Sequence, residues 1–206
     1  MTVTANVFYT EYELENVRKW MVIEGDEAFE DIAAGWPKYK DVFQVHVKEK
    51  NVAVQAGGYC GVFPRMLSNM FQRVYTFEPD PINFFCLANN TPSSNVYRYQ
   101  AALGKEHGLI SMDYMCLTNA GMKKVGTAPG VIPTMRVDDL KLERCDLLML
   151  DIEGYEFNAI LGAEETIDKY RPVISVEDTN PLIENVLSAY RYQKIAEVYR
   201  DTIYAA

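Results

Sequence analysis

The chain has 206 residues, enough for one domain with a sizeable core and too few for two comfortable ones. Hydrophobic residues make up 49% and charged residues 24%, which excludes a disordered or fibrous chain. The net charge is −9 with no Lys/Arg stripe, so the electrostatic footprint that phosphate backbones select is missing and no nucleic-acid partner is expected.

Residues 1–50 form an acidic preface that reads as a mostly helical extension, carrying Trp20 and Trp36 and suited to cap the core or cover a site. Within it, Phe43 to Val47 reads as a strand or strap that brings His46 onto the core. The amino terminus lacks a basic-then-apolar signal pattern, and no apolar run is long enough to span a bilayer. Cys60, Cys86, Cys116 and Cys145 are widely spaced without a zinc pattern, so four reduced thiols in a cytoplasmic protein with no membrane partner are expected.

From Asn51 onward, short apolar runs alternate with helical stretches, and residues 51–206 read as one domain. Asn51–Gln55 is a strand closed by the turn Gly57-Gly58-Tyr59-Cys60-Gly61, and Val62 to Phe71 follows with helical spacing, Pro64 in its first turn. Val74–Phe77 is a second strand ending at Glu78-Pro79, and a helix runs from Ile82 to Asn90. Val96 to Leu103 is a third strand candidate and Leu109 to Tyr114 another. Asn119 to Pro133, with three glycines and two prolines, reads as a loop of functional size. Asp146–Leu150 is the most apolar strand and suits a central parallel position. Helices about Glu156–Leu161 and on to Tyr170, a strand Pro172–Glu177, a helix Leu182–Tyr190 and two short strands around Tyr199-Arg200-Asp201 complete the chain. This alternation predicts a doubly wound α/β domain with helices on both faces of the sheet and an antiparallel strand near one edge.

Ligands of such sheets sit beyond the carboxyl ends of the strands. Four ends here carry suggestive groups: the glycine turn, Glu78, Asp151 and Glu177. The turn lets backbone N–H groups approach a ligand, and Glu78, 17 residues past Gly61, is placed to accept both hydroxyls of a ribose. These two features fit S-adenosylmethionine or a nicotinamide cofactor alike, although the turn does not supply G-x-G-x-x-G, which lowers the oxidoreductase reading. Asp151, Glu153 and Glu177 are the candidate catalytic carboxylates; as a cluster they could instead share a divalent metal. Glu156 reads as an acid favoured at a helix start, and His107 as a surface histidine.

Several blocks together resemble the FkbM family of methyltransferases: Asp151-Ile152-Glu153-Gly154-Tyr155-Glu156, Ala159-Ile160-Leu161-Gly162-Ala163, Pro172–Glu177, Thr76-Phe77-Glu78-Pro79, Ala101-Ala102-Leu103-Gly104 and Arg136–Leu140. The resemblance runs from about Asn51 to Tyr204. It implies a Rossmann-like, seven-stranded class I methyltransferase sheet, S-adenosylmethionine as donor and a hydroxyl oxygen as acceptor on a small molecule or saccharide. The cofactor-binding residues it implies are Gln55, Ala56, Gly57, Gly58, Tyr59 and Gly61 at the turn, Glu78 and Pro79 for the ribose, Ala101 and Ala102 near the adenine, and Asp151 near the sulfonium. The family's first motif opens with Asp and continues Gly-Ala-Asn, where this chain has Gln55 and Gly57-Gly58-Tyr59. Gln55 brings no negative charge for the cofactor's ammonium group. A catalytically weak binding module is therefore the alternative to an active enzyme, with a nicotinamide oxidoreductase behind both. A homo-oligomer is compatible with everything in the sequence.

Overall fold

The computed structural model describes residues 6–114, 118–126, 128–177 and 179–206. Strands β1 (Val7–Leu14) and β2 (Val17–Ile23) pair as an antiparallel hairpin, with Glu15 at φ 53° in the two-residue turn. Helix α1 (Ala28–His46) follows. The extension is thus a hairpin joined to one long helix rather than mostly helical. Glu11 and Glu13 lie two residues apart and exposed, while Tyr12 is half-buried and Leu14 buried, which is the two-residue period of a strand. His46 closes α1 instead of lying on a strand, because Trp36, Tyr39 and Phe43 recur at helical spacing and bury one face.

The main sheet has seven strands in the order β12-β13-β11-β10-β3-β4-β5. These are β3 (Val52–Ala56), β4 (Arg73–Phe77), β5 (Val96–Tyr99), β10 (Leu147–Leu150), β11 (Val173–Glu177), β12 (Gln193–Val198) and β13 (Asp201–Ala205). β11, β10, β3, β4 and β5 run parallel, and β13 inserts antiparallel between β11 and β12. Side chains alternate between two cores, as a pleated strand requires. Ala53, Leu147 and Met149 face α1, α2 (Val62–Ser68) and α3 (Pro81–Asn90), with Trp36, Phe43 and Met66 among the buried residues. Val54, Leu148 and Leu150 face α4 (Glu156–Leu161), α5 (Glu164–Tyr170) and α6 (Pro181–Ala189). Among the described residues no helix is long and apolar enough to cross a membrane.

The region between β5 and β10 departs from expectation. The strand expected over Val96–Leu103 divides: β5 stops at Tyr99, and β6 (Ala102–Leu103) leaves to pair with β9 (Ile132–Met135). With β7 (Gly108–Tyr114) and β8 (Lys123–Gly126) these form a second sheet, ordered β6-β9-β7-β8. The expected loop over Asn119–Pro133 therefore contains strands. Its glycines serve close approach: a Cβ on Gly130 would lie 1.7 Å from the Ile110 carbonyl. Cys60, Cys86 and Cys145 are buried free thiols, and Cys116 lies outside the described residues.

Asn90, the last residue of α3, fastens the hairpin to the domain. Its Nδ2 donates to the carbonyls of Met21 and Cys60, both at 2.7 Å, and its Oδ1 accepts from Met21 N–H at 2.7 Å. Asn90→Ala leaves three buried backbone groups without that partner and should cost about 3 kcal/mol in urea unfolding. A loss under about 1 kcal/mol would show that the hairpin is held by apolar contact alone.

Candidate functional site

The register of the main sheet lines up a row of carboxylates. Ala56 pairs with Leu150 and with Phe77, Leu150 pairs with Val176, and Glu177 pairs with Asp201. The residues at or just past this level are Asp201, Glu177, Asp151, Gly57 and Glu78. The chain passes from β3 to β4 and β5 on one side and returns to β10 on the other, so the switch in strand order falls at Gly57 and Asp151. Such a crevice is the expected ligand position in an open α/β sheet.

At the turn, Gly57 and Gly58 donate their N–H groups to the Phe77 carbonyl at 3.1 and 3.0 Å. Gly57 has φ 83°, and a Cβ there would stand 1.7 Å from the Asp151 carbonyl oxygen. Gly58 and Gly61 line neither of the cavities at this turn; they admit the side chain of Leu87 and the backbone of α3. Gln55 is wholly buried behind the turn. Its Nε2 donates to the Gly57 carbonyl at 2.8 Å, and its Oε1 accepts from the Thr76 hydroxyl at 2.6 Å. Its side chain is thus spent on holding the loop.

Tyr59 has φ 46° and donates its N–H to Glu78 Oε2 at 2.7 Å, while its hydroxyl meets Asp26. Glu78 Oε1 accepts from Asp80 N–H at 2.8 Å. Asp80 in turn caps α3 and pairs with the buried Lys123 of β8 at 2.9 Å. Burial pushes the Glu78 carboxyl up to about 8, against the pull of the Asp80 N–H and of Lys123.

Two connected spaces open beside this row. A narrow cavity of about 40 Å³, room for about three waters, is bordered by Ala56, Glu78, Pro79, Ala101, Ala102 and Asp151, with Met112 and Val125 of the second sheet also lining it. A cleft of about 490 Å³ shares Gly57, Glu78, Asp151 and Glu153 with it and reaches Tyr59, Glu177 and the start of α1. The expected residues Ala56, Gly57, Tyr59, Glu78, Pro79, Ala101, Ala102 and Asp151 therefore converge. Gln55, Gly58 and Gly61 support them from behind.

At the far end, Asp151, Glu153 and Glu177 each bring one carboxylate oxygen to within 4.8 Å of the others. Burial and the facing Glu177 raise the Asp151 carboxyl well above its ordinary value, and burial also raises Glu153, which sits at φ 54°. Glu177 Oε1 pairs with Arg200 Nη1 at 3.0 Å. Asp201 accepts from the Ser175 hydroxyl at 2.6 Å and the Tyr39 hydroxyl at 2.9 Å, and burial raises it to about 6. Glu156 accepts from Ile152 N–H at 3.0 Å and Gly154 N–H at 3.1 Å, so it closes the loop after β10. His107 is exposed and pairs with Asp139. Sequence reasoning did not single out Arg200, Asp201, Tyr39 or Lys123. An acid opening a buried strand was the available signal for Asp201; Tyr39 and Lys123 carried none.

A seven-stranded, mostly parallel sheet of this order, with its crevice at the first strand's glycine turn, defines the class I methyltransferase fold. Residues 55–194 match a family model described as the Methyltransferase FkbM domain, and the chain belongs to that family. Among solved structures it resembles the methyltransferase FkbM from Methylobacillus flagellatus KT, with 19% identity and a TM-score of 0.53 over 77% of this chain. The chain spans 44% of that protein. It also resembles a TehB-like SAM-dependent methyltransferase from Corynebacterium glutamicum, at 13% identity and TM-score 0.47, covering 87% of this chain and 92% of that one. The N-methyltransferase NodS from Bradyrhizobium japonicum aligns at 9% identity and TM-score 0.48, covering 87% and 96%. No curated protein matches the sequence.

Two outcomes test this geometry. Gly57→Ala must move the Asp151 backbone and adopt a disfavoured φ, so it should lose about 3 kcal/mol or more of stability, measured by thermal unfolding. For Glu78, the folded carboxyl holds its proton up to about pH 8 while the unfolded one releases it near 4.5. The folded state then binds more protons across that window, and wild-type stability falls as pH rises through it. Glu78→Gln has no proton to release, so its stability relative to wild type should improve by roughly a few kcal/mol from the acid to the alkaline end. Parallel pH curves in urea would contradict this.

Proposed function

We propose that this chain is an S-adenosylmethionine-dependent O-methyltransferase acting on a hydroxyl of a small molecule or saccharide. The observation that carries the reading is the convergence of Glu78, Ala101, Ala102 and Asp151 on one crevice beside the Gly57 turn. The residues fit that cofactor in chemistry. Glu78 offers the oxygens of its carboxyl group at the end of β4 to the two ribose hydroxyls, Ala101 and Ala102 leave flat space for a base, and the acids beyond Gly57 suit a cationic donor. In size, the cleft of about 490 Å³ is ample. The narrow end has to widen at Met112 and Val125 to admit a nucleoside base.

When bound, the cofactor supplies an electrophilic methyl group on a positively charged sulfur. The chain's own part is alignment and the handling of one proton. Glu78 and the turn orient the donor, while Asp151, Glu153 and Glu177 provide carboxylate oxygens for the proton of the acceptor hydroxyl. A further cavity of about 500 Å³ beneath α1 adjoins Asp151 and Glu177 and is lined by Ile32, Tyr39, Phe63 and Tyr199. It offers the acceptor aromatic surface next to the acids.

Calorimetric titration tests the reading. S-adenosylhomocysteine should bind wild type, and Glu78→Ala should bind it at least about tenfold more weakly, equivalent to about 1.4 kcal/mol. Binding of NAD with no binding of S-adenosylhomocysteine would overturn the proposal. Binding of S-adenosylhomocysteine without methyl transfer to any hydroxyl acceptor would leave a binding module.

A further inference from the structure

Among the described residues, Asn83 Oδ1, Asp139 Oδ2 and Glu177 Oε2 are buried side-chain oxygens that no donor meets in ordinary hydrogen-bond geometry. Two of them are accounted for. Asp139 Oδ2 lies 2.8 Å from His107 Nε2, and Glu177 has the Asp151 carboxyl and Arg200 as neighbours. That leaves Asn83 Oδ1, an uncharged amide oxygen, and a buried oxygen in this condition costs stability until a donor reaches it. The other end of the amide fixes its orientation. Asn83 stands in the first turn of α3, where its own N–H donates to the Asp80 cap at 2.9 Å. Its Nδ2 donates to the Ala120 carbonyl at 2.9 Å and helps the Glu78 carboxyl keep its charge. Both of those partners are acceptors, so the amide cannot be turned over and Oδ1 stays the unanswered end. The residue is only 2% exposed. Like Pro79, Ala101 and Ala102, it borders the narrow cavity of about 40 Å³ and not the wider cleft, whereas Glu78 borders both.

We infer that Asn83 determines which base the donor carries, its Oδ1 accepting a hydrogen bond from the exocyclic amine of adenine. The inference rests on the methyltransferase reading, in which Glu78 takes the ribose and Ala101 and Ala102 flank the base. The neighbouring walls, Pro79, Ala101, Ala102, Met112 and Val125, are apolar and hold a flat ring whatever its substituents. Apolar walls supply contact area, and a single placed polar group supplies the choice. Adenine brings an N–H to the Asn83 oxygen. A base with a carbonyl in the same place brings a second acceptor and leaves two oxygens facing each other. Because the residue is tied to Asp80 and Ala120, the oxygen is held in place before any ligand arrives.

Calorimetric titration of the full chain with S-adenosylhomocysteine and with S-inosylhomocysteine, whose base has oxygen in place of the amine, tests the assignment. Wild type should bind the adenosyl compound roughly tenfold or more tightly than the inosyl one. Asn83→Leu keeps the size of the side chain and removes its oxygen. In that variant the adenosyl compound should weaken until the two bind within about threefold of each other. A merely structural role for Asn83 would weaken both compounds alike and leave their ratio as in wild type, and circular dichroism checks that the variant folds. Equal affinities in wild type, whatever the variant does, would overturn the inference, and so would a wild-type ratio preserved in Asn83→Leu. Either result, with S-adenosylhomocysteine still bound by wild type, leaves the methyltransferase reading intact. Wild type that binds neither compound removes both.

Discussion

Gly57 and the carbonyl of Asp151 lie so close that no side chain fits between them, and the rest of the site depends on that contact. It joins the turn after β3 to the end of β10 where the strand order reverses. The Asp151 N–H completes the link by donating to the Ala56 carbonyl at 3.1 Å. The glycine turn and the Asp151 end of β10 are therefore held together through backbone. Gln55 serves the same end from behind, with its amide bonded to the loop and to Thr76. A charged Asp at position 55 could not donate to the Gly57 carbonyl as this amide does. The family's Asp is replaced here by a residue that holds the turn closed.

Four carboxyl groups on neighbouring strand ends repel one another and resist burial, so the fold has to compensate locally. Ser175 and Tyr39 donate hydroxyls to Asp201, Arg200 covers one oxygen of Glu177, and backbone N–H groups of Tyr59 and Asp80 receive Glu78. Lys123 balances Asp80 in the buried space above α3. These partners come from α1, β8 and the turn between β12 and β13 as well as from the motif-bearing strand ends. The segments outside the central sheet are part of what allows the acids to stand together.

The central architecture was legible because its signals are local. Runs such as Leu147–Leu150 and Val173–Glu177 announce buried parallel strands, and Pro81 and Pro181 begin helices behind the side-chain caps Asp80 and Asn180. The hairpin of the extension was obscured because Glu11, Glu13 and Glu15 draw attention to charge, whereas the informative feature is their alternation with Tyr12 and Leu14. The second sheet was hidden for a different reason. Its glycines and prolines look like loop residues, yet Gly130 is needed where two backbones meet, and Pro133 sits within β9. The candidate site was legible where strand ends carry Glu78, Asp151 and Glu177. Asp201 joins the row only through the register of an antiparallel pair, which no local spacing encodes. Nor does any spacing announce that Tyr39 crosses 162 positions of sequence to reach Asp201.

The insertion of β13 between β12 and β11 has a bearing on how this chain comes to be folded as it is made. β11 is buried along its whole length, and until residues 201–205 have been synthesised it has a partner on one side only. A nascent chain that has already produced β3, β4, β10 and β11 therefore exposes the open edge of an apolar strand, the kind of surface on which other chains readily pair. α6 and β12 emerge in the meantime but cannot close that edge, since β12 bonds to β13 and not to β11. Closure comes with Ile203 and Tyr204, which enter opposite faces of the sheet in one step. The same strand carries Asp201 into the crevice. Closure of the β11 edge and completion of the acidic row are then the work of one strand.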